Sequence, residues 1–362
     1  MKIKELYSKY ERFISPVSLL AGFITDNLTL RRIDLLAENI AILSYLFIVG
    51  ASILILNAYD VGRLRGKIID KLYGILPFVM QFAFGGLFSV FVVFYFRSAS
   101  FFASWPFLFM LAGLLVGNEI FRKQYSRLVF QISIYFAAIF SYSVFAAPIV
   151  LNKINDMVFL ISGLASIALI SLFIFIIWLV LREKLIPARS LFIKSIAGIY
   201  LLFNIFYFAN IIPPIPLSLK ESGIYHSVQR LDGGYVVQLE PSQWHGFFNN
   251  FNRVFHWKRG EPVYCYSAVF APAKINTEIL HRWSYFNEEK KEWEEKSRLG
   301  FPIVGGRDGG YRGYSVKYQI EPGKWRVDVI TGQGKILGRI KFEIVEVSES
   351  YQGVSLIWAK MI

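Results

Sequence analysis

The chain has 362 residues, 55% of them hydrophobic and 18% charged, with a mean hydropathy of +0.45 and a formal net charge of +13. A composition this apolar excludes an ordinary soluble globule, and a single cysteine, Cys265, excludes an internal disulfide. The basic excess is dispersed and follows the apolar runs, which is the pattern of membrane flanks and not of a nucleic-acid-binding surface, so a lipid bilayer is the expected partner and nucleic acid is not.

Residues 1–34 form a basic N-terminus followed by a short apolar segment, Phe13–Leu30. That segment reads as a signal anchor or short first span. An interfacial or re-entrant helix is the alternative, because Asp26 and Asn27 shorten the apolar run. Residues 35–212 read as a transmembrane helical bundle with six stronger spans: Leu35–Leu56, Leu72–Phe96, Phe101–Phe121, Leu128–Leu151, Met157–Leu181 and Leu191–Ile212. Each has about 20 apolar residues, enough to cross the hydrocarbon core as a helix. The expected total is therefore six to seven spans.

Lys and Arg set the orientation. With seven spans and the N-terminus inside, the inner segments carry 15 of the 19 Lys/Arg in residues 1–219, including Arg63, Arg65, Lys67, Lys71, Arg182 and Lys184. The outer segments carry Arg31, Arg32, Arg97 and Lys153. The C-terminal tail then lies outside the cytoplasm, and the expected location is a bacterial cytoplasmic membrane.

Polar groups within the spans are few. Gln81, Gln131, Asn204 and Asn210 are neutral, and no ionisable residue is expected deep in a span, which argues against an ion-coupled carrier. Gly113 and Gly117 read as a close helix contact. The cluster Asp26, Arg31, Arg32, Asp34 and Glu38 sits at the expected outer membrane face. It reads either as a charge-paired helical hairpin or as a site for a phosphate-bearing lipid.

A Pro-rich linker, residues 213–222, leads to a tail domain, residues 223–362. YVVQL after Asp232-Gly233-Gly234 reads as a strand. In Trp244–Trp257 the apolar residues Trp244, Phe247, Phe248, Phe251, Val254 and Phe255 recur at helical spacing, predicting a helix on the domain core or on the bilayer surface. Val263–Phe270 is apolar on both faces and suits a central strand. In Glu278–Phe286, alternation places Ile279, His281, Trp283 and Tyr285 on one face. Glu288–Lys296 reads as a solvated loop or hairpin end. YRGYSVKYQI, KWRVDVI and KILGRIKFEI read as three consecutive antiparallel strands, separated at Pro322-Gly323 and Gly332-Gln333-Gly334. The expected fold is an all-β, immunoglobulin-like sandwich.

HRWSYF, GGRDGGYRGYSVK and GKWRVDVITGQGKILGRIKFEI together resemble the uncharacterised bacterial family called domain of unknown function 2914. The matching positions are His281 and Trp283; Arg312, Tyr314, Ser315 and Lys317; and Gly323, Trp325, Arg326, Val327 and Val329, within residues 278–345. The segment SPVSLLAGFITDNLTLRRID also resembles the start of multi-pass bacterial proteins carrying this tail. The resemblance implies a membrane-anchored bacterial domain and brings no catalytic residues.

No catalytic motif, phosphate loop or metal-ligand spacing is present, and His226, His245, His256 and His281 do not form a ligand set. No metal or other cofactor is expected. Glu294 with Glu295, or Asp308 with Glu321, are the carboxylate pairs available for glycoside chemistry, and loop acids explain them better. The binding candidates are His281, Trp283, Tyr285, Arg312, Tyr314, Ser315 and Lys317, aromatics beside cations that suit an envelope glycan or a protein partner. The competing reading makes Trp283 and Trp325 core residues. A membrane protein displaying a binding domain is the expected function. The alternatives are an enzyme on a lipid-linked substrate at the outer face and a transporter or its accessory.

Overall fold

The computed structural model describes residues 24, 35–98, 101–120, 128–231, 234–238, 240, 253–272, 275–304 and 309–347. The chain divides into two compact units, with the main boundary after Ile215. Among the described residues the first holds five long helices: α1 (Leu36–Asp60), α2 (Lys67–Ser98), α3 (Phe101–Ile120), α4 (Leu128–Leu151) and α5 (Asp156–Phe208). Four of them, all but α3, are long and apolar enough to cross a membrane.

Helix α5 covers two of the six stretches read from the sequence. Its 53 residues would extend about 80 Å if straight. Yet Tyr207 Oη donates to Asp156 Oδ1 over 2.8 Å, and the Phe159 and Tyr207 rings stack at 3.7 Å. The helix therefore doubles back, and the bend falls at Leu181, whose φ of −129° and ψ of 31° are not helical. A Cβ added at Gly163 would meet Tyr200 of the second leg at 3.0 Å, so glycine there lets the two legs approach. Gly50 and Gly86 do the same against Tyr135 and Tyr45. Among the described residues nothing lies within 4 Å of a Cβ added at Gly113, and the surroundings of Gly117 lie outside what is described.

Side-chain pairs fix the relative directions of α1, α4 and the two legs of α5. Tyr142 donates to Asn39, and Asn57 donates to Gln131, so α1 and α4 run antiparallel. At one end of the unit Lys184, just past the bend of α5, reaches Asp60 at 3.1 Å, and Arg63 reaches Glu183 at 3.4 Å. The α1–α2 connection and the bend of α5 thus share an end, and the last residues of α5 lie at the opposite end, beside Asp156. Phe47, Ile68, Phe78 and Phe82 are more than 60% exposed, an apolar outer surface that needs a lipid-like surround.

The second unit is built of strands: β1 (Ser218–Tyr225), β2 (Ser227–Leu231), β3 (Gly234–Gln238), β4 (Arg253–Trp257), β5 (Val263–Phe270), β6 (Asn276–Asn287), β7 (Glu292–Val304), β8 (Tyr311–Lys317), β9 (Gly323–Thr331) and β10 (Ile336–Glu346). They form a three-stranded sheet, β1-β5-β8, a five-stranded sheet, β4-β10-β9-β6-β7, and the hairpin β2-β3. The two larger sheets share one core. Ile224, Val263 and Cys265 of the smaller meet Trp283, Trp325, Val327, Ile340, Phe342 and Ile344 of the larger. Farther along, Leu217, Val269 and Ala271 meet Ile279, Ile303, Val329 and Leu337. The β2-β3 hairpin covers the other face of β5, packing Val228 and Val237 on Tyr266 and Ala268.

Three expectations are corrected here. Arg253–Trp257 is not helical but an edge strand, β4, parallel to β10, with Phe255 and Trp257 buried in the core. Phe255 and Trp257, two residues apart, share a face only in a strand, and the long-range pairing with β10 decided the segment. Residues 241–252 lie outside those described. The linker ends earlier than residue 222, because β1 begins at Ser218 and pairs with β5. The last three strands are not one meander. β9 and β10 pair in register, but β8 pairs with β5 in the other sheet. Alternation reports that a segment is a strand and says nothing of which sheet it joins.

Candidate functional site

The seven binding candidates fall into three environments, because neighbouring residues of a strand point to opposite faces. His281 and Trp283 on β6, and Ser315 on β8, lie between the sheets at 0%, 0% and 6% exposure. There His281 bridges the two sheets. Its Nε2 lies 2.8 Å from Ser267 Oγ on β5, and its Nδ1 lies 2.8 Å from Ser315 Oγ. Trp283 Nε1 also donates to Ser315 Oγ, over 3.1 Å. Burial holds His281 neutral and pushes its pKa down to about 3. A neutral ring has one donor and one acceptor nitrogen, which suits a hydroxyl on either side. This group joins the sheets and is closed to solvent.

Arg312 and Tyr314 point the other way, beneath the β2-β3 hairpin. Tyr235 packs edge-on against the Tyr314 ring at 6.2 Å, and its hydroxyl donates to the Arg312 carbonyl. The seven residues therefore do not make one surface.

Tyr285 and Lys317 share a neighbour, the Trp325 ring, at a rim of the domain. Tyr285 packs edge-on against Trp325 at 5.3 Å, and Lys317 Nζ lies 6.0 Å from the centre of the Trp325 ring. Lys296 Nζ lies 5.6 Å from the Tyr285 ring. Lys296 is the extra residue of a β-bulge, since Trp283 pairs with Ser297 and Ser284 with Glu295. Glu294 holds Lys296 from the side at 3.1 Å. Among the described residues Lys317 has no carboxylate partner. Its pKa is lowered by burial first and by the Lys296 charge second. Lys296 was not among the residues selected from the sequence. Only the bulge brings it to Tyr285.

Of the outer-face cluster, Glu38 lies in the first turn of α1 and is buried. Asp26, Arg31, Arg32 and Asp34 lie outside the described residues. The carboxylate pair Glu294 and Glu295 is engaged by neighbours: Glu294 binds Lys290, Lys296 and Asn287, and Glu295 binds Arg298; Asp308, of the other pair, lies outside the described residues. A separate buried carboxylate, Glu240, lies between His226 (3.1 Å) and His256 (2.9 Å). Their separation in sequence concealed this group. Among the described residues no three His, Cys, Asp or Glu side chains are placed to hold a metal.

The molecule is thus a set of apolar helices followed by a β domain of two packed sheets and a covering hairpin. Within that domain, residues 276–344 match the family described as "Protein of unknown function (DUF2914)". No curated protein matches the chain. Among solved structures, β-glucosidase from Listeria innocua in complex with gluconolactone is similar at 12% identity, with 34% of this chain covered, 16% of the glucosidase covered and a TM-score of 0.19. The alkylpurine DNA glycosylase AlkC of Pseudomonas fluorescens is similar at 10% identity, with 83% of this chain and 96% of the glycosylase covered and a TM-score of 0.22. TM-scores this low give neither a fold nor a function.

Proposed function

We propose that the chain is a multi-pass protein of the bacterial cytoplasmic membrane. It displays an immunoglobulin-like β-sandwich outside the cytoplasm, and that domain binds an envelope polymer, a glycan being the chemistry its rim fits. The carrying observation is the rim, where two ammonium groups flank the rings of Tyr285 and Trp325. Rings stack on the apolar faces of sugars, and paired cations hold their anionic substituents. The membrane arrangement draws support from the helices. The doubled α5 supplies two legs, which makes six in all, and Phe13–Leu30 would be the seventh. The basic connections at Arg63 and Arg182–Lys184 share one end, and α5 finishes at the other. With the basic end inside, the β domain emerges outside.

A C-terminal reporter fusion tests sidedness: activity of a reporter that works only outside the cytoplasm is expected, and activity of a cytoplasmic reporter alone would overturn it. Binding is tested with full-length protein in detergent micelles on an array of acidic and neutral envelope glycans. Lys317→Ala and Tyr285→Ala should each reduce glycan retention by about tenfold. Unchanged retention in both, or capture of a protein partner with no glycan retained, would reject the glycan reading.

A further inference from the structure

The outer face of the five-stranded sheet carries an arrangement that sheet stability does not explain. One rung across four strands reads Arg298 on β7, Arg282 on β6, Asp328 on β9 and Arg339 on β10. The next rung carries Glu295, Ser284, Arg326 and Lys341. Arg282 is directly opposite Arg298, and Arg326 directly opposite Lys341. Like charges facing each other across strands are destabilising, so two such pairs side by side call for another reason.

The centre of the array is Asp328, 0% exposed although it belongs to the outer face. Arg282 Nη2 donates to its Oδ2 over 2.7 Å, and Arg339 donates to both of its oxygens. Arg326 Nε lies 3.5 Å from Oδ2, and its guanidinium stands over the Trp293 ring at 4.8 Å. The three side chains are only 23%, 16% and 29% exposed. Among the described residues, Nε of Arg282 and Nε of Arg326 are buried with no hydrogen-bond partner. Among the described residues no hydrogen bond is made by the Arg326 guanidinium, whose approach to Asp328 is the 3.5 Å ion pair. Three forks thus surround one carboxylate, which consumes few of their donors and one of their three charges.

We propose that Arg282, Arg326 and Arg339 form a binding site for a dianionic phosphate monoester, with Asp328 beneath them as the positioning residue. The excess of two positive charges matches the dianion. Guanidinium forks match the oxygen geometry of phosphate, and Trp293 holds Arg326 flat so that less side-chain entropy is lost on binding. Lys341 adds a neighbouring charge. This site is on the opposite face of the sheet from Tyr285 and Lys317, so it stands or falls separately from the glycan rim.

The test uses full-length protein in dodecyl maltoside micelles at constant ionic strength, titrated calorimetrically with glycerol 3-phosphate. Saturable binding is expected, weakening as pH falls from 7.5 to 5.5, because the second phosphate proton binds near pH 6. Arg326→Gln should weaken it about tenfold, and Arg326→Lys nearly as much, since the fork is lost. Lys341→Gln, which spares the Asp328 cluster, should weaken it by a few-fold. Lys317→Ala should leave it unchanged. Absence of saturable binding, equal binding by Arg326→Gln and wild type, or equal affinity for acetate or for the monoanionic diester glycerophosphoglycerol would each overturn the proposal.

Discussion

The histidine between the sheets makes the stability of the β domain depend on pH in a window that few other groups share. His281 is fully buried between Ser267 and Ser315, and its pKa falls to about 3 from an ordinary value near 6.5. The unfolded chain therefore binds a proton between those values that the folded chain refuses. Its contribution is fully present above about pH 6.5 and is lost as pH falls towards 3. One proton corresponds to about 1.4 kcal/mol per pH unit, so lowering the pH from 6.5 to 5 should cost about 2 kcal/mol. Denaturant unfolding of the full-length protein in micelles, followed by tryptophan fluorescence, measures this directly, with Trp283 itself hydrogen-bonded in the cluster. His281→Phe keeps the volume but leaves the Ser267 and Ser315 hydroxyls without the ring, which should cost about 1–3 kcal/mol at pH 7. The variant should also lose the slope between pH 6.5 and 5. If wild type and His281→Phe show the same slope there, the buried neutral histidine is not its source.

Other consequences follow from the same geometry. Asp328 is held by Arg339 and Arg282, which keep its carboxyl below the usual range against an opposing effect of burial. Asp328→Asn leaves three guanidiniums uncompensated and should cost about 3–5 kcal/mol in the same unfolding assay. In wild type this contribution is present above about pH 3.8 and is lost as pH drops through the depressed value. Gly310 has φ of +85°, and a Cβ there would lie 3.0 Å from the Val269 backbone. Gly310→Ala should therefore destabilise the start of β8 by about 1–3 kcal/mol, read as a lowered denaturant midpoint. In the helical unit, Gly163→Val should force apart the two legs of α5 at Tyr200, lowering the thermal midpoint in micelles, whereas Gly113→Ala should leave it unchanged.

Much of this molecule was legible one residue at a time. Length and unbroken apolarity mark the helices, four of which are long and apolar enough to cross a membrane. Period-two alternation put Ile279, His281, Trp283 and Tyr285 on one face of β6, and they are there. Pairing between distant segments was not legible. Sequence alone could not send β8 to the smaller sheet, turn Arg253–Trp257 into a parallel edge strand, or fold one 53-residue helix onto itself at Leu181. The candidate site suffered for the same reason. Alternation within β8 separates Tyr314 from Ser315, and only cross-sheet packing decides that Ser315 meets His281 while Lys317 meets Trp325. The four-strand rung centred on Asp328 draws its members from positions 282, 298, 328 and 339, which become neighbours only through strand register. Local periodicity is a property of the backbone and is written in sequence. Register and sheet membership are set by which buried surfaces fit together, and that is decided only when the whole core closes.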